Sequence, residues 1–290
     1  MKKLAPLFVA AAAMLWGILF LFVRSLSEAG FSAMDIVCIR AYGSVLFLFP
    51  GIFVIKKKLL RFHLKDTWCF VGTGVFSIVF FSYCYFRNVE VSSAAFASIL
   101  MYTSPVWVTI LSVFFFREKL GTGKVIALLM ALAGCVLVSG VTSGLGAVSV
   151  RGVLLGLGSG IGYGLYSIFG RFALNRGYHP MTVTAYTFLF ACLGVLPFVR
   201  VSSIINRFAE EPALLLVALA MALFTTACSF SLYTLGLQYL EPGRAAVLAT
   251  LEPIITTLTG TLYYKEPLTM TMILGIGLVL AASVLISRSE

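Results

Sequence analysis

Charge is scarce in this sequence. Only 11% of its 290 residues are Asp, Glu, Lys or Arg, where a soluble domain carries roughly a quarter. Mean hydropathy is +1.04. A water-soluble fold is excluded on that balance. Histidine is scarcer still: His63 and His179 are the only two, and both fall between apolar runs. That removes most metal-dependent and histidine-based catalytic schemes. Six cysteines are present (Cys38, Cys69, Cys84, Cys135, Cys192 and Cys228), all inside apolar runs and with no CxxC pair. They read as small buried hydrophobes rather than a disulfide frame or metal site, so no metal and no cofactor is expected. No polar stretch is long enough for a soluble domain or a long linker.

What the sequence does contain is membrane-length apolar runs. A spanning helix needs roughly 17–25 residues. Ten runs qualify: Ala5–Leu26, Ala33–Ile55, Thr67–Phe86, Ser93–Phe116, Gly123–Val141, Gly152–Leu174, Met181–Val199, Pro212–Leu235, Pro242–Tyr264 and Thr269–Ile286. The opening Met1-Lys2-Lys3 resembles a signal peptide, but the run behind it is too long for an h-region and is expected to stay as a first span. The fold class predicted is an all-α integral membrane protein. Short gaps make neighbouring helices antiparallel.

The chain also reads twice. Trp16-Gly17 is answered by Tyr163-Gly164, Arg24 by Arg171, Pro50 by Pro197 and Tyr85 by Tyr233. Ser104-Pro105 is answered by Glu252-Pro253, and Glu118 by Glu266. This divides the chain into repeats 1–148 and 149–290, each with five runs. Five is odd, so the second copy enters the membrane upside down, as two inverted five-helix repeats about an axis in the membrane plane.

Orientation follows from the basic gaps. With both termini cytoplasmic, 14 Lys and Arg fall inside and 6 outside, with Arg40 within a span. The cluster from Lys56 to Lys65 nearly decides it. The net charge of +10 lies in gaps between apolar runs. That suits anionic headgroups of a lipid bilayer rather than nucleic acid.

A segment of small residues, x-Pro, an apolar run, a basic residue and Glu-x-Leu recurs. It reads SSAAFASILMYTSPVWVTILSVFFFREKLGTG in the first copy and EPGRAAVLATLEPIITTLTGTLYYKEPLTM in the second. With Arg40 in the second span after Phe31-Ser32, these features resemble the EamA family of the drug/metabolite transporter superfamily over the whole chain. The resemblance implies a ten-helix inverted-repeat carrier with a central cavity, mostly exporting small organic metabolites.

The residues themselves nominate a site. Glu252 falls near the bilayer centre, where a carboxylate faces a cavity or a partner. It is a candidate both for substrate contact and for taking up and releasing protons as coupling ion; the alternative is a structural hydrogen bond to a neighbouring helix. Pro105 and Pro253 lack the N–H that would bond the carbonyls of Met101 and Ala249, which breaks the helix and either lines a cavity or merely kinks it. Arg40, two turns inside its span, either binds an anionic group or anchors the helix at the interface. Trp16, Tyr102, Tyr163 and Tyr166 lie at depth, where their N–H and O–H groups need partners. Ser104 is matched to Glu252 by the repeat. Gly156, Gly160 and Gly164 form one stripe for close helix approach. Glu118 and Glu266 read as headgroup-level charges.

The function expected is a secondary transporter working by alternating access in the cell membrane, with a bacterial inner membrane favoured. Its cargo would be a small-molecule substrate, an exported amino acid or related compound whose two charges Arg40 and Glu252 could meet. The alternatives are export of cationic amines or drugs, in which Arg40 would not matter, and a non-transport scaffold. A membrane enzyme would need more ionisable residues at depth than Arg40 and Glu252, so no enzymatic activity is expected.

Overall fold

The computed structural model describes residues 2–139, 149–265 and 267–288. Glu266, Gly140 and Val141 therefore lie outside the described residues. Among those described there is no strand, and nine helices are long and apolar enough to span a membrane. In chain order they are α1 (Lys2–Glu28), α2 (Ala33–Leu60), α3 (Leu64–Val91), α4 (Ala94–Phe116), α6 (Val150–Asn175), α7 (Pro180–Phe198), α8 (Ala213–Leu237), α9 (Pro242–Tyr264) and α10 (Met270–Arg288). Between α4 and α6 lies α5 (Thr122–Val138), apolar but only 17 residues long. A short helix, Val201–Glu210, links α7 to α8.

The outer surface is apolar. Val54, Phe114, Leu154, Leu216 and Leu262 are all exposed. A soluble protein could not carry such a girdle, but hydrocarbon solvates it. The polar side chains point inwards instead: Thr73, Thr184, Thr187, Thr225, Thr226 and Thr234 are fully buried. Four of them bond a carbonyl one turn back, Thr184 to Pro180, Thr187 to Val183, Thr225 to Met221 and Thr234 to Phe230. This answers the hydroxyl within its own helix. Five of the six cysteines are buried free thiols, and Cys228 is partly exposed.

The two copies share their local irregularities. α4 breaks between its halves Ala94–Met101 and Ser104–Phe116, and α9 breaks between Pro242–Ala249 and Glu252–Tyr264. In both, the proline occupies the first turn of the second half, where its missing N–H is no loss. Left-handed Arg117 and Lys265, each with φ 55°, end these spans. α3 and α8 each contain a π-helical stretch, Gly72–Val79 and Met221–Cys228. Packing is matched as well: α1 lies against α8 and both halves of α9, and α6 lies against α3 and both halves of α4.

Glycines explain the Trp-Gly and Tyr-Gly pairs of the sequence. A Cβ on Gly17 would sit 2.9 Å from the carbonyl oxygen of Glu252, and one on Gly164 would sit 3.4 Å from that of Ser104. Each aromatic is thus followed by the one residue that lets a broken helix approach. The stripe continues on α6, where Gly156 and Gly160 face Leu100 and Thr103 of α4.

Candidate solute cavity

Between the repeats lies a cavity of about 240 Å³. Its wall draws on Leu19 and Phe20 of α1, Ile36 and Val37 of α2, Tyr85 and Phe86 of α3, and Ser98 of α4. These lie in the helix halves remote from the chain termini, so the cavity faces that end of the bundle. Its floor, towards the termini, is made of Tyr166, Ser167, Phe230 and Tyr233. Hydrogen bonds knit that floor together: Tyr166 Oη to Thr234 Oγ1 at 2.6 Å, and Ser167 Oγ to Tyr233 Oη at 2.7 Å. Trp16 packs edge-on to Phe230 and Tyr163, with centroids 5.0 and 6.3 Å apart.

Six of the residues nominated from the sequence meet here: Trp16, Arg40, Tyr102, Tyr163, Tyr166 and Glu252 all line the cavity. Ser104 does not. It is buried at 3% exposure beside Pro105, in the first turn behind the α4 break. Pro105 and Pro253 are buried and leave the wall to their neighbours. Tyr85 and Tyr233 also line the cavity. The repeat paired them in the sequence, and that pairing was the available signal. Ser77 and Ile78, on the π-helical stretch of α3, carried none.

Glu252 is the first residue of the second half of α9. Its carboxylate stands at a helix N-terminus, where the dipole favours negative charge by up to about 2 kcal/mol in a partly buried setting. The Tyr163 hydroxyl donates to its Oε2 at 2.7 Å. Arg40 is neither snorkelling nor ion-paired. Its Nε donates to Thr226 Oγ1 at 3.2 Å, on the π-helical stretch of α8, and no carboxylate among the described residues lies within ion-pair distance. Arg40, Tyr163 and Glu252 remain partly exposed although they lie deep in the bundle, and that exposure is to the cavity. The Trp16 indole N–H is buried with no partner among the described residues. The wall therefore offers one acid, one base, several hydroxyls and an unanswered donor in an aromatic setting. No cluster of metal-ligating side chains occurs among the described residues.

Glu118 is more enclosed than a bare interfacial charge would be. It stands just past the end of α4 as expected, but it is buried at 8% exposure because the Lys124 ammonium bonds its Oε2.

Comparison with known proteins agrees with this architecture. The chain is 26% identical over 277 residues to an uncharacterized transporter of Archaeoglobus fulgidus, covering 95% of each. It is 25% identical over 285 residues to the uncharacterized inner membrane transporter YicL of Salmonella typhimurium, covering 96% of this chain and 93% of the other. A solved crystal structure superposes with a TM-score of 0.79 at 18% identity, over 97% of this chain and 95% of that one, a likeness of fold. The model of the EamA-like transporter family matches residues 3–140 and again 150–288. With nearly the whole length matched, and matched twice, the chain belongs to the EamA-like transporter family.

Proposed function

We propose that the protein carries a small zwitterionic solute, an amino acid or a related compound, out of the cell by alternating access. The observation that carries the reading is the cavity wall shared by Arg40 and Glu252. They come from opposite repeats and are not paired with each other. A buried charge without a counter-ion is expensive. A solute with a carboxylate and an ammonium group would satisfy both at once. The aromatic rings around them would bury its apolar part. A cation alone would use Glu252 and leave Arg40 unanswered, so export of amines is the second reading.

A thermal-shift screen of purified protein against a metabolite library tests this, because ligands of the folded state raise its Tm. Zwitterions should shift the wild type, and the shift should disappear in both Arg40→Gln and Glu252→Gln. Cationic amines that still shift Arg40→Gln would favour the second reading. Shifts by zwitterions that survive both substitutions would sink the first.

The location that goes with this reading is a cell membrane, an inner membrane in a bacterium, with both termini cytoplasmic. The 14-to-6 division of basic residues supports it. Reporter fusions at the C-terminus and in the Lys56–Lys65 gap should both report inside; an outside signal from either would break the inverted-repeat model. Proton exchange at Glu252 is the coupling proposed. The Tyr163 hydrogen bond and the partial exposure of the carboxyl to the cavity support it.

A further inference from the structure

Beneath the cavity floor, at the end carrying both termini, a charged side chain from the first repeat is clasped by the second. Lys124 opens α5 and is 6% exposed. Its ammonium bonds Glu118 Oε2 within its own repeat, and Glu241 Oε2 at 3.0 Å across the repeat boundary. Glu241 immediately precedes α9, and Gly243 brings that helix close. A Cβ there would lie 3.0 Å from Lys124 Cε and 3.2 Å from Glu118 Oε2.

We propose that Lys124, Glu118 and Glu241 form a latch that holds the termini end of the bundle shut while the cavity faces the other end. The inference rests on the alternating-access reading and says which contact must break in the cycle.

The repeat supplies the argument. An offset of 148 places Ser93 opposite Glu241, each immediately before its helix. The same offset places Met272 opposite Lys124. Neither carries a charge, so the Lys124–Glu241 ion pair has no repeat counterpart among the described residues. Packing is unequal in the same sense. At the termini end the first half of α9 packs on the second half of α4 and on α5. At the far end, among the described residues, the first half of α4 has no comparable packing on the second half of α9 or on α10. One end is closed where the other is open, and the Lys124–Glu241 pair lies at the closed one.

Two arginines near Lys124 make ties that do not cross this seam. Arg171 bonds the carbonyls of Gln238 and Leu240, and Arg244 bonds that of Ile286, all within the second repeat. A different cross-repeat tie joins Asp66 to Arg176 and Tyr178. Its counterpart at the far end is present too, where Arg207 bonds the Ala29 carbonyl and Phe31 meets Phe208. A tie made at both ends does not set which end is open. The Lys124 bond to Glu241 does.

Removing the cross-repeat partner leaves a buried ammonium with one carboxylate instead of two and weakens the closed end. Spin labels at Lys119 and Gln238, both exposed, report separation at the termini end, and labels at Ala94 and Met270 report the far end. Distances are measured by pulsed electron resonance in the full chain in lipid nanodiscs. Lys124→Met, which copies the residue of the other repeat, should raise the ratio of long to short distances at the termini end by about tenfold and shorten the far-end distance. Glu241→Gln, at a partner that is 46% exposed and so tolerant of change, should do the same to a smaller degree. Unchanged termini-end distances in both variants would overturn the latch. Alternating access would still stand if a pH step or a solute moves the two distances in opposite senses. Loosening of the termini end without closure of the far end would also overturn the proposal, by making the network a matter of stability alone.

Discussion

Tyr163 and Glu252 both belong to the second repeat and meet through one hydrogen bond, the Tyr163 hydroxyl donating to Glu252 Oε2 at 2.7 Å. In the repeat, Tyr163 corresponds to Trp16 and Glu252 to Ser104. The contact is therefore not duplicated: Trp16 packs on Tyr163, Phe230 and Tyr233, and its N–H lacks a partner. The repeat symmetry is thus broken at the cavity wall, where the proposed function puts the solute.

Tyr163→Phe removes the donor and keeps the ring. Cavity water can replace the lost bond, so the fold should lose no more than about 1 kcal/mol. Solute affinity should fall on the order of tenfold, the worth of one hydrogen bond to a charged group. Calorimetric unfolding and ligand titration of the same variant separate the two effects. Unchanged affinity would mean that Tyr163 does not orient the carboxylate for the solute.

Gly160 tests the packing that brings the repeats' centres together. A Cβ there would lie 2.6 Å from Thr103 Oγ1 and 2.7 Å from the Leu100 carbonyl oxygen. Gly160→Val should destabilise the protein by about 1–3 kcal/mol through overpacking. Gly277→Ala, with nothing within 4 Å of the added atom, should leave thermal stability nearly unchanged. Equal losses in the two would contradict the close approach of α6 to α4.

His179 gives a pH dependence outside the spans. Its Nδ1 accepts the Met181 N–H at 3.3 Å and caps α7. Burial first, and the nearby Lys56 second, hold its imidazole below its ordinary pKa. The unfolded chain therefore takes up this proton at higher pH than the folded one. The contribution to stability is full above about pH 6.5 and is lost as pH falls through the lower, folded value. Melting temperature of the wild type should drop between pH 7.5 and 5.5. His179→Asn, which caps without titrating, should show a flatter profile over that range. A parallel drop in both would assign the acid sensitivity elsewhere.

Much of this architecture is legible in the sequence because hydropathy and spacing dictate it. The spans follow from apolar length, and the breaks at Pro105 and Pro253 follow from a missing N–H. The π-helical stretches are not legible, since GTGVFSIV and MALFTTAC read as ordinary apolar helix. Burial of Glu118 is hidden for a different reason. It depends on Lys124 folding back and on the approach of α9 from the other repeat, neither of which local pattern encodes. Arg40 is read correctly as deep, but its partner, Thr226, lies on a helix whose rotation is set by tertiary packing. Ser104 inherits its nomination from Glu252 through the repeat, yet the approach of Gly164 to its carbonyl buries it behind the wall.

The central claim is that Glu252 couples proton movement to solute movement in this cavity. Glu252→Gln preserves shape and hydrogen-bonding capacity but cannot titrate. The measurement is flux in proteoliposomes, with a solute found by the thermal-shift screen, under an imposed pH gradient. The variant should retain solute exchange at equal pH and lose gradient-driven accumulation, while the wild type accumulates. Accumulation by Glu252→Gln at the wild-type level, with the same pH dependence, would contradict the account and leave Glu252 as a structural partner of Tyr163.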